Sequence, residues 1–295
     1  MRALLFRATA RVAMTCVVAA APLLCHGQAS PQLPLEPPGR FGESVNPAYE
    51  GWYPNPDGSF NLLVGYYNRN QNQSLDIPVG PNNRIEPGGP DQGQPTHFLP
   101  HRQWGIFTIT VPKDFGNNRL TWTIVSAGQT LSVPLGLNPL YKISPLKDEA
   151  MGNTPPLLRF KREGLPLTGP PRGIVASFSA TQRQPLTLTA WLAHEVGWKI
   201  ENSGAAGNSN KKSGPDLMLT WSKFRGPGDA TFASVTPTIE KPDGKATTTA
   251  SFSEPGDYIL RAQVNDTSGD GGAGFQCCWT NALVQVTVKP TNGGE

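Results

Sequence analysis

The chain is poor in the residues that most often carry chemistry or long-range cross-links. Of its four cysteines, Cys16 and Cys25 fall in the first 29 residues, and the other two, Cys277 and Cys278, are adjacent. Two neighbouring thiols cannot staple distant segments, so the domains must fold on their own apolar cores. Histidine is scarce, with only His97, His101 and His194 beyond residue 29. Arg2, Arg7 and Arg11 account for the whole formal charge of +3; past residue 29 basic and acidic residues balance at 22 each. That balance removes the basic face through which a protein grips nucleic acid or an anionic membrane. Long apolar runs are missing too, apart from Val12–Leu24, so no transmembrane segment is expected in a mature chain. What is abundant is the pair of residues that interrupt helices. Gly (32) and Pro (30) make about a fifth of the 295 residues, against roughly 12% in average proteins. Proline at that density argues against helical bundles and doubly wound α/β folds, while 37% hydrophobic residues suffice for a core.

The N-terminus reads as an export signal. Three arginines precede Val12–Leu24, whose length suits the apolar region of a secretion signal and is short for a bilayer span. Gly27-Gln28-Ala29 puts small residues where a signal peptidase reads, so cleavage is expected after Ala29. The product is then periplasmic or extracellular. Lipidation at Cys25 is the minor alternative, disfavoured by the bulky Leu24 before it.

Beyond the signal, residues 30–46 (Pro- and Gly-rich) read as a tether. A first sandwich is expected over 47–144. Asn55-Pro56-Asp57-Gly58 is turn chemistry between two β-prone runs, and Trp104–Val111, Leu120–Val125 and Thr130–Leu135 are rich in β-branched and aromatic residues. Within it, 68–100 is a long polar loop in which only Leu75-Asp76-Ile77 reads as a strand. Residues 145–172 are a Pro-rich linker, with at most a helical turn near Lys147–Met151. Over 173–292 seven short period-two runs separated by turns predict a second antiparallel sandwich.

This second half carries a resemblance. Leu219-Thr220-Trp221, then Ser253-Glu254-Pro255-Gly256-Asp257-Tyr258-Ile259-Leu260-Arg261, then Leu283–Val288 resemble strands of PKD-like and other immunoglobulin-like bacterial extracellular modules. The resemblance implies that Trp221 fills the sandwich centre, that Tyr258 sits at a strand corner, and that Leu283–Val288 closes the sheet. The first half resembles only uncharacterised secreted bacterial proteins. The expected fold is therefore all-β: two antiparallel immunoglobulin-like β-sandwich domains joined by the Pro-rich linker.

Motifs for catalysis fail their context. Gly269–Gly274 satisfies G-x-G-x-x-G but is followed by a strand rather than a helix, and reads as a hairpin loop. Ser144–Lys147 and Ser209–Lys212 match S-x-x-K without the partner motifs of acyl-serine enzymes. His97 and His101 would stand about 13 Å apart on an extended strand, at ~3.3 Å per residue, too far to share an ion. No catalytic residue, metal or cofactor is expected. The leading reading is an exported non-catalytic structural or interaction module of the cell envelope, its partner an envelope protein or a glycan. The alternative is a carbohydrate- or small-ligand-binding protein with aromatic platforms, and the third an enzyme of unknown type. Adjacent strand residues face opposite ways, so one of Trp52/Tyr53 and one of Tyr66/Tyr67 should point outward. The candidate ligand-binding residues are Trp52, Tyr66, Tyr67, Arg69, Arg84, Glu86, Asp91, His97 and His101. Cys277 and Cys278 are expected to form a vicinal disulfide.

Overall fold

In a computed structural model the chain is all-β, and residues 39–149, 152–194, 217–266 and 278–291 are described. Eight strands build the first sandwich: β1 (Val45–Pro54), β2 (Phe60–Asn68), β3 (Leu75–Asp76), β4 (Asn83–Glu86), β5 (His97–Phe98), β6 (His101–Val111), β7 (Arg119–Ser126) and β8 (Gln129–Gly136). They pair in the orders β1-β2-β6 and β4-β7-β8, with a small β3-β5 ribbon. The hairpins follow local chemistry. Asn55–Gly58 closes β1 onto β2 with Gly58 at φ 86, and the two-residue turn between β7 and β8 has positive φ at both Ala127 and Gly128, the arrangement that matches strand twist. The core between the sheets is fully buried at Leu62, Val64, Ile85, Phe98, Trp122 and Ile124. Trp122 sits at its centre, stacked on Phe98 at 6.4 Å and edge-on to Phe107 at 5.2 Å.

The second sandwich comprises β9 (Leu157–Arg159), β10 (Ile174–Thr181), β11 (Leu186–Ala193), β12 (Met218–Arg225), β13 (Ala230–Phe232), β14 (Ile239–Glu240), β15 (Lys245–Phe252), β16 (Gly256–Asn265) and β17 (Trp279–Lys289). One sheet runs β10-β17-β16-β12 and the other β13-β15-β11-β9, with β14 also on β15. All pairs are antiparallel except β10 with β17. This is the immunoglobulin strand order, β9-β11-β15-β13 facing β12-β16-β17. Trp221 on β12 is 1% exposed in the core. The Tyr258 hydroxyl donates to Glu254 O at 2.9 Å and accepts from Gly228 N at 3.1 Å, which is the tyrosine corner of that fold.

The described residues, from 39 onward, belong to one compact unit. The Pro-rich stretch before residue 173 is packed: Leu158 of β9 is fully buried, the Thr280 hydroxyl donates to Pro156 O, and Asn281 N donates to Gly169 O. There is no helix among the described residues of Lys147–Met151; the one 3-10 turn among described residues is Pro139–Tyr141. The two cores also touch. Phe224 and Leu283 join the first core, and Trp279 at the start of β17 packs with Tyr53, Leu63 and Ile143. Its indole lies where a Cβ on Gly105 (φ 50) would stand. Asn281 Nδ2 donates to Gly105 O at 3.0 Å, and Arg261 Nη2 to Gln103 Oε1 at 2.7 Å. No helix among the described residues is long and apolar enough to cross a membrane.

Candidate functional site

The polar loop between β2 and β6 is held by its own side chains. Asn83 is fully buried; its amide donates to Ile77 O at 2.9 Å and Pro95 O at 2.8 Å, and its Oδ1 accepts the Trp122 indole at 3.0 Å. Gln94, also fully buried, donates to Pro90 O. Ile77, Ile85 and Phe98 turn into the core. Two carboxylates on this cover, Asp76 and Asp91, reach across to the second sandwich. Asp91 takes two hydrogen bonds from Arg225, at 2.9 and 2.7 Å, and the Arg225 Nε donates to Gln94 O. Asp76 sits between His97 at 2.9 Å and Lys223 at 3.0 Å. The His97 hydrogen bond, with help from Lys223, pulls the Asp76 carboxyl down to about 2.

A second polar cluster lies on β1 and β6. Glu50 is buried, accepts Arg102 Nη2 at 2.9 Å and accepts the Gly105 N–H at 2.7 Å, while the Arg102 guanidinium lies 3.8 Å from the Trp104 ring centre. Burial pushes the Glu50 carboxyl up to about 7 from the ordinary 4.5, against the lowering pull of Arg102 and the Gly105 N–H. The folded chain thus binds this proton more tightly than the unfolded chain. The stability it contributes is full below pH 4.5 and is lost as pH rises toward 7. The urea midpoint is expected to fall across that window, and Glu50→Gln to flatten the fall. A wild-type midpoint that stays level there would refute the assignment.

The sequence candidates therefore separate. Trp52 is half-buried on β1, edge-on to Phe60 at 5.4 Å, and its Nε1 donates to Asn138 O at 2.8 Å. Tyr66 is 2% exposed: the pleat turns it inward against Phe98, where its hydroxyl accepts Leu99 N, so it belongs to the core and offers no surface platform. Tyr67, its outward neighbour, is half-buried. Arg69 pairs with Glu43 at 3.3 Å and Arg84 with Glu86 at 2.9 Å. Asp91 and His97 face the second sandwich, as above. His101 is exposed at φ 66, and no group of three His, Cys, Asp or Glu among the described residues could hold a metal ion. Cys278 is buried and disulfide-bonded; Cys277 lies outside the described residues, as do Gly269–Gly274 and Ser209–Lys212.

Concavity occurs elsewhere. A groove of about 480 Å³ runs beside the end of β8, walled by the turn before β7 and by the segment 137–141. Asn138 caps the 3-10 turn by accepting Leu140 N, with Pro139 at its first position. Ile143 N donates to Trp52 O, which fixes the segment to β1. Tyr49 and Tyr141 line the groove with ring centres 5.6 Å apart, and the Tyr49 hydroxyl donates to Gly136 O at 2.6 Å. Asn117, Asn118 and Arg119 add polar groups, and no acidic residue lines it. Sequence reading missed these residues because they come from three separate stretches. The one local signal was Asn138-Pro139-Leu140-Tyr141, where a helix-start pair precedes two exposed apolar side chains.

No protein-family model matches the chain, and no curated protein matches it. Among solved structures it is similar to the D0-D1 domain of intimin (10% identity, covering 83% of this chain and 97% of that one, TM-score 0.23). Domains 4 and 5 of the S-layer protein SbsC give 11% identity, 83% and 97% coverage and a TM-score of 0.22. Titin tandem immunoglobulin domains give 8%, 84% and 100%, with a TM-score of 0.22. At such scores the fold assignment stands on the strand order itself.

Proposed function

We propose that this chain is an exported structural or interaction module of the cell envelope in which two immunoglobulin-like sandwiches act as one stiff body. The observation that carries the reading is the interface between them. Of the long loop's ionisable side chains, Asp76 and Asp91 bond across to Lys223 and Arg225 while His97 bonds to Asp76, and Trp279 of β17 packs with Tyr53, Leu63 and Ile143 of the first half. Side chains so engaged brace the sandwiches against each other, as a load-transmitting or partner-presenting part requires. A PKD-like kinship of the second sandwich, a boundary in the Pro-rich stretch and a vicinal Cys277–Cys278 bond belong to the same reading. A second reading, ligand binding on aromatic surface, is favoured by the Tyr49–Tyr141 groove.

The reading is tested by expressing the full chain, fractionating the cells and measuring intact mass after alkylation. The expected product is periplasmic or extracellular, begins near Ser30 and contains no alkylatable thiol until reduced, then two. A cytoplasmic product that keeps Met1 overturns the export claim. Two thiols alkylated before reduction overturn the disulfide.

A further inference from the structure

We propose that the groove beside β8 binds a neutral oligosaccharide, an inference that rests on the second reading above, ligand binding on aromatic surface. Three observations select this chemistry. The first is the lining itself. Tyr141 is 50% exposed and stands tilted against Tyr49, which gives an aromatic face for the apolar side of a sugar ring. The Asn117 and Asn118 amides are exposed beside it, and among the described residues neither makes a side-chain hydrogen bond within the chain. An amide both donates and accepts, as a sugar hydroxyl does.

The second observation is charge. Arg119 is the one ionised group on the lining and no carboxylate faces it, so nothing there attracts a cation, and one exposed guanidinium is a weak basis for selecting an anion.

The third concerns the competing occupant, an extended peptide added to the free edge of β8. The two-residue turn sets Ser126↔Gln129 as a hydrogen-bonded pair, and alternation along the register then turns Thr130, Ser132 and Pro134 outward. Proline at the last of these has no N–H to give, so the ladder would break beside the groove. The edge is blunted for strand addition while the groove next to it stays open.

The groove is also held in shape before any ligand arrives. Tyr49 is tied to Gly136 O, Asn138 caps the 137–141 segment, and Trp52 Nε1 donates to Asn138 O. A volume of about 480 Å³ falls in the range of small-ligand sites.

The test applies the exported chain to an array of neutral gluco-, manno-, galacto- and N-acetylglucosamine oligosaccharides, with uronic-acid oligosaccharides and a random peptide library beside them. Titration calorimetry follows on the best-retained sugar. Saturable binding to a neutral oligosaccharide is expected, weakened at least tenfold by Tyr141→Ala and several-fold by Asn118→Ala, with the melting temperature unchanged. Retention of uronic acids or peptides alone, no retention of any neutral sugar, or binding indifferent to Tyr141→Ala would each overturn the proposal. None of those outcomes bears on export or on the stiffness of the tandem. Conversely, a cytoplasmic full-length product would sink the envelope reading while leaving binding in the groove intact.

Discussion

The wild-type chain is expected to unfold in a single transition, and Trp279→Ala to split it into two and to lower stability by about 3–5 kcal/mol, the usual cost of truncating a buried tryptophan. The indole is 1% exposed and fills a small cluster with Tyr53, Leu63 and Ile143. Its ring also occupies the space left by the missing side chain at Gly105. Removing it leaves a cavity where the two cores meet, with polar contacts such as Arg261 to Gln103 left to hold the sandwiches together. Gly105→Val attacks the same joint from the other side: its Cβ would overlap the indole, and a β-branched residue is strained at φ 50. Differential scanning calorimetry reads both variants. A single transition displaced by less than about 1 kcal/mol in each would mean that the joint carries little of the stability.

The second large effect is expected at Asn83. Its side chain satisfies three buried groups at once, two carbonyls of the loop and the indole N–H of Trp122. Asn83→Ala strands all three, and at about 1–3 kcal/mol for each unsatisfied buried group the first sandwich should lose roughly 3–9 kcal/mol. The loss should be local in one respect. The amide ties the carbonyls of Ile77 and Pro95, on either side of β4, to that strand, so limited proteolysis should cut within 71–94 in the variant and spare the wild type. If the wild type is cut there as fast as the variant, the segment is a loose insert and Asn83 is not its anchor.

Much of the β architecture was legible in the chain because its signals are local. Pro-Asp-Gly at 56–58 turns β1 into β2, and Ala127-Gly128 turns β7 into β8, since turn type is set by a few consecutive residues. Period-two runs such as Lys245–Phe252 alternate their burial as the pleat requires. The resemblance of Leu219-Thr220-Trp221 and Pro255-Gly256-Asp257-Tyr258 to immunoglobulin-like strands implied the core tryptophan and the corner tyrosine of the second sandwich. The weaker strands escaped notice. β4, β9 and β14 are two to four residues long, and β4 and β9 lie in Pro-rich sequence. They exist because a neighbouring strand offers them a ladder, as β11 does for Leu157–Arg159.

What the sequence alone determined is the all-β character: proline density, turn chemistry and alternation act within a few residues and need no partner. The tertiary structure alone decided what the polar residues do. Asp91 and His97 look like ligand-binding groups in the linear chain, yet Arg225, more than a hundred residues away in sequence, claims Asp91, and His97 binds Asp76, which the equally distant Lys223 also holds. Tyr66 and Tyr67 are neighbours of one type, and only the pleat and register assign one to the core. The groove could not be read in advance either, because Tyr49, Asn118 and Tyr141 converge only when β1, the turn before β7 and the segment after β8 are brought together. A side chain's partners depend on which distant segments the cores pull into contact, and burial of apolar surface, which drives that contact, is non-directional and leaves no local mark.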